Sequence, residues 1–445
     1  MIDISPEMVV IIMLGGLLVL VMSGFPLAYV IGFLGFVVGV MIYGEQITQM
    51  FYLRTYRLMM NYVLLAVPLF VFMGSMLERS GIIERLYDAL YLWLGGFRGG
   101  LAVVTVMVGT VMAATVGVIT ASVTLLTLVA LPSMIKRGYS KSFAAGACTA
   151  GGILGILIPP SIMIVIYGPM ASISVGKMFF GAFIPGFILS VLYISYISFR
   201  SIIQPHIAPP VPEEQRAVPF AQKTKMLLVS IVPVAVLIMS VLGVIFLGIA
   251  PPTEAAGVGA FAATLLTIAY RRFSFDVLKE VMSMTLKLSG FIFLVGTMSY
   301  AYTGIFLGAR GGEVLTELIM SMPGGKWGAF AVIMFIIFML GFFIDWIGIL
   351  FITVPIVTPI FEVLGFDPVW ASIMVCVNLQ TSFMTPPFAM GIYICRGAAD
   401  PSLGVTVGDI IRGVIPYVLL VLIAIVLLVV FPQLVTWLPG LMITR

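Results

Sequence analysis

Residues 149–168 read TAGGILGILIPPSIMIVIYG, and residues 381–397 read TSFMTPPFAMGIYICRG. Both stretches are apolar and both are interrupted by a proline pair, Pro159-Pro160 in one and Pro386-Pro387 in the other. A shift of 227 residues superimposes the two pairs, and the same shift matches Pro132 with Pro359, Gly138 with Gly365, Ala144 with Ala371 and Met163 with Met390. Proline removes a backbone donor and clashes with the preceding helical turn. In hydrocarbon, the N–H and C=O groups freed by such a break are tolerated only where they are buried in protein or line a cavity. The pattern predicts two broken helices at membrane depth, over about 140–170 and 368–395.

The rest of the chain agrees with a membrane setting. Of its 445 residues, 62% are hydrophobic and 9% charged, with a mean hydropathy of +1.22. A soluble domain carries about 25% charged residues, and a helical span needs roughly 20 apolar ones. The apolar runs are too long for the strands of a transmembrane barrel, each of about 10 residues. The fold class expected is an all-α polytopic membrane protein. Asp3 and Glu7 precede the first apolar run, where a signal peptide would carry positive charge, so no cleavable signal is expected.

Clear spans fall at about 8–23, 26–43, 63–78, 178–199, 226–248, 253–270, 290–306 and 413–431. Segments 99–131 and 327–361 are too long for one span and have polar or Gly-rich centres, so each predicts a re-entrant hairpin. Segments 46–60 and 274–288 mix charges with apolar positions at helical spacing and are expected to lie along the interface. These features recur in register, which marks an internal repeat. The first repeat covers 1–203 and the second 226–445, joined by a Pro-rich loop over 204–225. Each repeat would hold five crossings, one hairpin and one broken helix. An odd number of crossings inverts the second repeat relative to the first. On that topology, 16 of the 22 Lys and Arg residues fall on one side, including Arg79, Lys279 and Lys287, while Arg54, Arg57, Lys177, Arg310, Lys326 and Arg445 fall on the other. The richer side is assigned to the cytoplasm, which places both termini outside.

Inverted repeats with helices broken near the midplane are a transporter signature. Half-helix N-termini offer N–H groups to anions, and unwound carbonyls offer oxygens to cations. The first break has small neighbours in Gly151, Gly152 and Gly155, and its partner hairpin is centred on Thr115, Gly117, Thr120 and Ser122. The second break carries Asn378, Gln380, Thr381, Ser382 and Thr385, the most polar stretch at depth, and its partner hairpin carries Asp345 in GFFIDW. An acid within an apolar stretch is a functional candidate by default. Asp345 also suits the N-cap of the following helix, and Glu254 suits a helix start at the interface. Arg310 and Lys326 flank the outer hairpin, where they would attract anions or dock a partner. Cys148, Cys376 and Cys395 sit in apolar segments without metal spacing and read as packing residues. The single histidine, His206, lies in the Pro-rich loop.

Taken together, GGILGILIPPSIMIVIYG, ATVGVITASVTLLTLVALPSM, PPTEAAGVGAF at 251–261 and the pair GFFIDW with NLQTSFMTPPFAMGIY resemble the large membrane subunit of tripartite ATP-independent periplasmic (TRAP) transporters. The resemblance covers essentially the whole chain. It implies an ion-transporter-like elevator fold and sodium-coupled uptake of a small organic anion in the bacterial inner membrane. It implies two partners, a periplasmic substrate-binding protein and a small four-helix membrane subunit, the latter expected as a separate chain because nothing before Pro6 would hold four helices. One departure is local: where sialic-acid and dicarboxylate members resemble a Gly-Ser-Ser run, Gly117 is followed by Val118 and Ile119. The Gly-Val-Ile-Thr-Ala form is closer to members grouped with 2-oxo acid, lactate or mannitol labels.

With that resemblance, sodium as coupling ion is assigned to the surroundings of Thr115, Gly117, Thr120, Gly151 and Gly152, and to those of Asp345, Thr381 and Thr385. The substrate is assigned to Ser122, Pro159, Pro160, Ser161, Asn378, Ser382, Pro386 and Pro387. Hairpins and broken helices form the mobile body, and the remaining helices the scaffold. No cofactor is expected. The rivals are a stand-alone ion-coupled permease, a channel and an intramembrane enzyme, the last disfavoured by a single loop histidine and no cluster of acids at depth.

Overall fold

The computed structural model describes residues 4–212, 214 and 218–442; Arg216 and Arg445, both used in the charge count, lie outside the described residues. The described chain is helical throughout its ordered elements. In the first half these are α1 (Pro6–Met22, with a π-turn at Ile11–Gly15), α2 (Leu27–Tyr43), α3 (Gln46–Met59), α4 (Ala66–Arg79), α5 (Ile82–Leu94), α6 (Gly100–Val116), α7 (Ile119–Lys136), α8 (Lys141–Ile153), α9 (Ile162–Met170) and α10 (Val175–Ile203). The second half holds α11 (Phe220–Phe246), α12 (Pro252–Ala269), α13 (Phe275–Gly308), α14 (Gly311–Met320), α15 (Gly325–Leu340), α16 (Trp346–Val363), α17 (Pro368–Ser382), α18 (Met390–Ala398), α19 (Val407–Val430) and α20 (Gln433–Gly440). Among the described residues, eight helices are long and apolar enough to cross a membrane.

The element order follows the shift of 227 residues from end to end: α7, for example, maps onto α16 at both of its boundaries. Three features differ from the sequence expectation. Helices α5 and α14 are additional, short and amphipathic, one before each hairpin. Helix α20 follows the last crossing. The expected arm at 274–288 does not stand alone but forms the first part of the 34-residue α13. At 1.5 Å per residue that helix spans about 51 Å, against a hydrocarbon core of about 30 Å. In the first half Asn61 accepts from the N–H of Val63 and opens a 3₁₀ turn over Tyr62–Leu65, which separates α3 from α4. The second half has Lys287–Gly290 at that place and no side-chain cap, so the helix continues.

Packing exchanges the halves pair by pair. Helix α2 lies on α13 and α12 on α4; α8 lies on α19 and α17 on α10; α9 lies on α16 and α18 on α7. Small residues set the closest approaches. A Cβ at Gly35 would stand 3.2 Å from the Cα of Tyr302, and Gly146 and Gly413 bring the backbones of α8 and α19 together so closely that neither accepts a side chain. Tight helix association in lipid relies on such residues. Loop ends meet in agreement with the crossing pattern: Arg79 pairs with Glu280 at 3.1 Å, Tyr62 donates to Glu254 at 2.9 Å, and Lys141 donates to the carbonyl of Gly404 at 2.8 Å. Each contact joins segments that the crossing count puts on one side.

Helices α10 and α19 pack on the hairpin and broken helices. The Thr110 hydroxyl of α6 donates to Ser190 of α10 at 2.9 Å, and the indole of Trp370 in α17 donates to the carbonyl of Leu428 in α19 at 2.9 Å.

Candidate functional site

Helix α8 narrows to a 3₁₀ turn at Leu154–Ile156 and stops; α9 restarts after Pro159-Pro160-Ser161, with Ser161 extended. Helix α17 ends at Ser382, and α18 restarts after Pro386-Pro387-Phe388, with Ala389 left-handed at φ 30°. Both Pro-Pro bonds are cis. The hairpins turn at Gly117-Val118 and over Gly341–Asp345. Gly117 takes a left-handed φ of 64°, and its open side faces the carbonyl of Pro160 and the N–H of Ile162. The second hairpin is tied to its break by the N–H of Phe388, which donates to the carbonyl of Phe342 at 3.2 Å. Each half-helix beyond a break then crosses to the other half's hairpin, α9 onto α16 and α18 onto α7. The four irregular segments thus belong to one interlocked unit.

The polar residues assigned from sequence divide into two groups. Several are used in structure. Gly151 and Gly152 are close-packing positions: Gly151 meets α6 at Gly109, and a Cβ at Gly152 would stand 2.8 Å from the backbone of Val123 in α7. Thr115 donates to the carbonyl of Val111 at 3.1 Å. Thr381 and Thr385 donate to the carbonyls of Asn378 and Thr381, both at 2.6 Å. Asn378 donates to the carbonyl of Met334 at 2.8 Å, joining α17 to α15. Ser161 donates to the carbonyl of Ile156 across its own break.

The second group is buried without partners among the described residues. The hydroxyls of Ser122 and Ser382, Oδ1 of Asp345 and both amide atoms of Gln380 have no hydrogen bond. Gln380 is 0% exposed. Ser382 lies against Gly341, and Ser122 against Gly155, where an added Cβ would stand 3.2 Å from the hydroxyl. Asp345 occupies the N-cap of α16, as expected from sequence; the N–H groups of Trp346 and Ile347 lie toward its carboxylate, while Oδ1 has no partner. A buried polar group without a partner costs about 1–3 kcal/mol; unpaired buried hydroxyls also occur away from the breaks, at Tyr193, Tyr302 and Tyr417 for example. Gln380 was not assigned a role from sequence. Its signal was spacing: two positions from Asn378 on a helix, it faces nearly away from the α15 contact.

Thr120 is exposed at the hairpin tip, and Pro386 and Pro387 are exposed while Pro159 and Pro160 are buried. Arg310 is engaged by Glu313 at 2.6 Å, and the Lys326 ammonium sits over Trp327 and Phe366. Glu254 lies in the first turn of α12 and accepts from Tyr62. The three cysteines are buried and unpaired. Among the described residues no three His, Cys, Asp or Glu side chains gather.

Residues 14–434 match the family model of the tripartite ATP-independent periplasmic transporter, DctM component. The chain belongs to this family. It is 29% identical over 403 residues to the C4-dicarboxylate TRAP transporter large permease protein DctM of Vibrio cholerae, covering 86% of each chain. It is 28% identical over 384 residues to the sialic acid TRAP transporter large permease protein SiaM of the same organism, covering 86% of this chain and 87% of that one. The crystal structure of the Alcanivorax borkumensis YdaH transporter superposes with a TM-score of 0.62 at 13% identity, over 95% of this chain and 98% of that chain, a likeness of fold. The chain is thus a TRAP large permease subunit, a multi-pass membrane protein and not an enzyme.

Proposed function

We propose that this TRAP large permease is the transport subunit of a sodium-coupled importer of a small organic anion, working by an elevator movement of the broken-helix body. The observation that carries the reading is the set of unpaired buried atoms on Asp345, Gln380, Ser382 and Ser122, all held in one unit of two hairpins and two crossed breaks. Among the described residues no cluster of acids is present to relay protons or to hold a divalent ion. A sodium ion suits what remains: carbonyls at the breaks, hydroxyls and one carboxylate. Two ion positions are assigned, one at Gly117 with the first break and one at Asp345 with Thr381 and Thr385. The substrate carboxylate is assigned to the half-helix ends at Ser161 and Pro387, with Ser122, Asn378, Gln380 and Ser382 nearby.

The exchanged packing of the halves supports two inverted repeats, with α1–α4 and α11–α13 as the framework. The charge asymmetry supports a bacterial inner-membrane topology with both termini outside. The family supports a small four-helix membrane subunit and a periplasmic binding protein as partners. Relatives of nearly equal identity carry dicarboxylate and sialic acid in their names, so identity alone does not choose the acid.

The test is uptake into proteoliposomes holding the chain with its small subunit, supplied with binding protein and a panel of labelled organic acids. Uptake is expected under an inward sodium gradient. Equal uptake under a proton gradient without sodium contradicts the reading.

A further inference from the structure

An open cavity of about 700 Å³ lies between the tip of the first hairpin and the polar face of α13. Val118 and Thr120 of the hairpin form one wall. Lys279, Ser283 and Lys287 line the opposite one, four residues apart along α13, with Arg79 and Glu280 at the rim. The charge is uneven. Arg79 and Glu280 neutralise each other at 3.1 Å, and among the described residues Lys279 and Lys287 have no ion-pair partner. Two lysine side chains, rooted about 12 Å apart along the helix axis, therefore line a concave space together with the apolar side chains of Met284 and Phe291. Walls of low dielectric focus such a field and raise the local concentration of the opposite charge. The wall opposite the lysines is itself part of the candidate site, because Gly117, next to Val118, faces Pro160 at the first break. The repeat does not duplicate this arrangement: by the shift of 227 residues, Lys279 and Lys287 correspond to Tyr52 and Met60.

We infer that this cavity is an anion-holding vestibule, in which Lys279 and Lys287 take the carboxylate of the transported acid on the side assigned to the cytoplasm. The inference rests on the transport reading above and extends it to a second, framework-borne binding position. The Arg79–Glu280 pair joins α4 to α13, and both lysines stand on the one helix α13.

The test uses the full chain in nanodiscs of neutral lipid, with Ser283→Cys as reporter and Phe291→Cys as a second reporter should the first perturb folding. The native cysteines are buried. Reaction rates are measured with an anionic and a cationic thiol reagent of similar size, with succinate as the probe anion. The anionic reagent is expected to be favoured, and Lys279→Gln with Lys287→Gln should lower the anionic-to-cationic rate ratio by about tenfold. Succinate should slow labelling in the parent and not in the double variant. A ratio unchanged by the two substitutions overturns the inference, as does the absence of succinate protection. Loss of the preference in nanodiscs of anionic lipid overturns it in favour of a lipid headgroup. Labelling needs no gradient, so failure of the transport reading shows separately, as absent sodium-driven uptake with vestibule labelling intact.

Discussion

Helices α8 and α17 occupy equivalent places in the two halves, yet they are built from opposite chemistry. Where α8 has Gly151, Ile153 and Gly155, α17 has Asn378, Gln380 and Ser382. At the hairpin turns Val118 stands in the place of Asp345. The first break is sealed, with Leu157–Ser161 buried, while Pro386–Phe388 of the second are exposed. Glycines in the first half let backbones meet; side chains in the second half reach across the same gaps and leave polar atoms over. The difference teaches that a repeated backbone break is a shared scaffold, and that each half commits it differently. The first half offers mainly backbone oxygens, and the second offers side-chain groups as well.

The largest expected effect breaks the first half. Gly152→Leu would force a side chain into the backbone of Val123. Overpacking of this kind costs about 3 kcal/mol, read as a lowered melting temperature in detergent. A normal melting temperature would show that α7 and α8 can separate, and would remove close packing as the reason for the glycines.

The second effect has an opposite sign for stability and function. Gln380→Leu replaces two unpaired amide atoms by an apolar group one heavy atom smaller. Thermal stability without sodium or substrate should rise by about 1–2 kcal/mol, while sodium-driven uptake should fall sharply. A destabilised Gln380→Leu would mean that the amide serves the fold.

A smaller effect belongs to Asn378, which differs from Gln380 by having a partner. Asn378→Leu removes the bond to the carbonyl of Met334. A hydrogen bond between membrane helices is worth about 0.6 kcal/mol, so stability should fall by roughly that amount. A rise in melting temperature would place Asn378 with the unpaired group instead.

The contrast between the two helices also marks how far the sequence could be read. The breaks, hairpins and long spans follow from Pro-Pro pairs and apolar runs, because backbone satisfaction in lipid leaves few alternatives. Helices α5 and α14 were hidden because a short amphipathic run beside a hairpin resembles a connecting loop. The continuity of α13 was hidden because charges at Lys279, Glu280 and Lys287 suggested an interfacial arm. The packing of α10 and α19 on the hairpin and broken helices depends on contacts such as Trp370 with Leu428, which join residues far apart in the chain. Within the site, residue type did not separate paired from unpaired groups. Thr381 and Gln380 are neighbours in one polar run, yet one bonds its own helix and the other bonds nothing.

The most direct test of the account is the sodium dependence of uptake by Asp345→Asn. Asparagine keeps the size and one acceptor oxygen but loses the charge. The acceptor oxygen that asparagine keeps can still face the N–H groups of Trp346 and Ile347, so expression and melting temperature should stay near those of the parent. Apparent sodium affinity should fall by about threefold to tenfold, roughly 0.7–1.4 kcal/mol, with uptake recovering at high sodium. Uptake with the parent's sodium dependence would contradict the assignment of Asp345 to an ion position at the second hairpin.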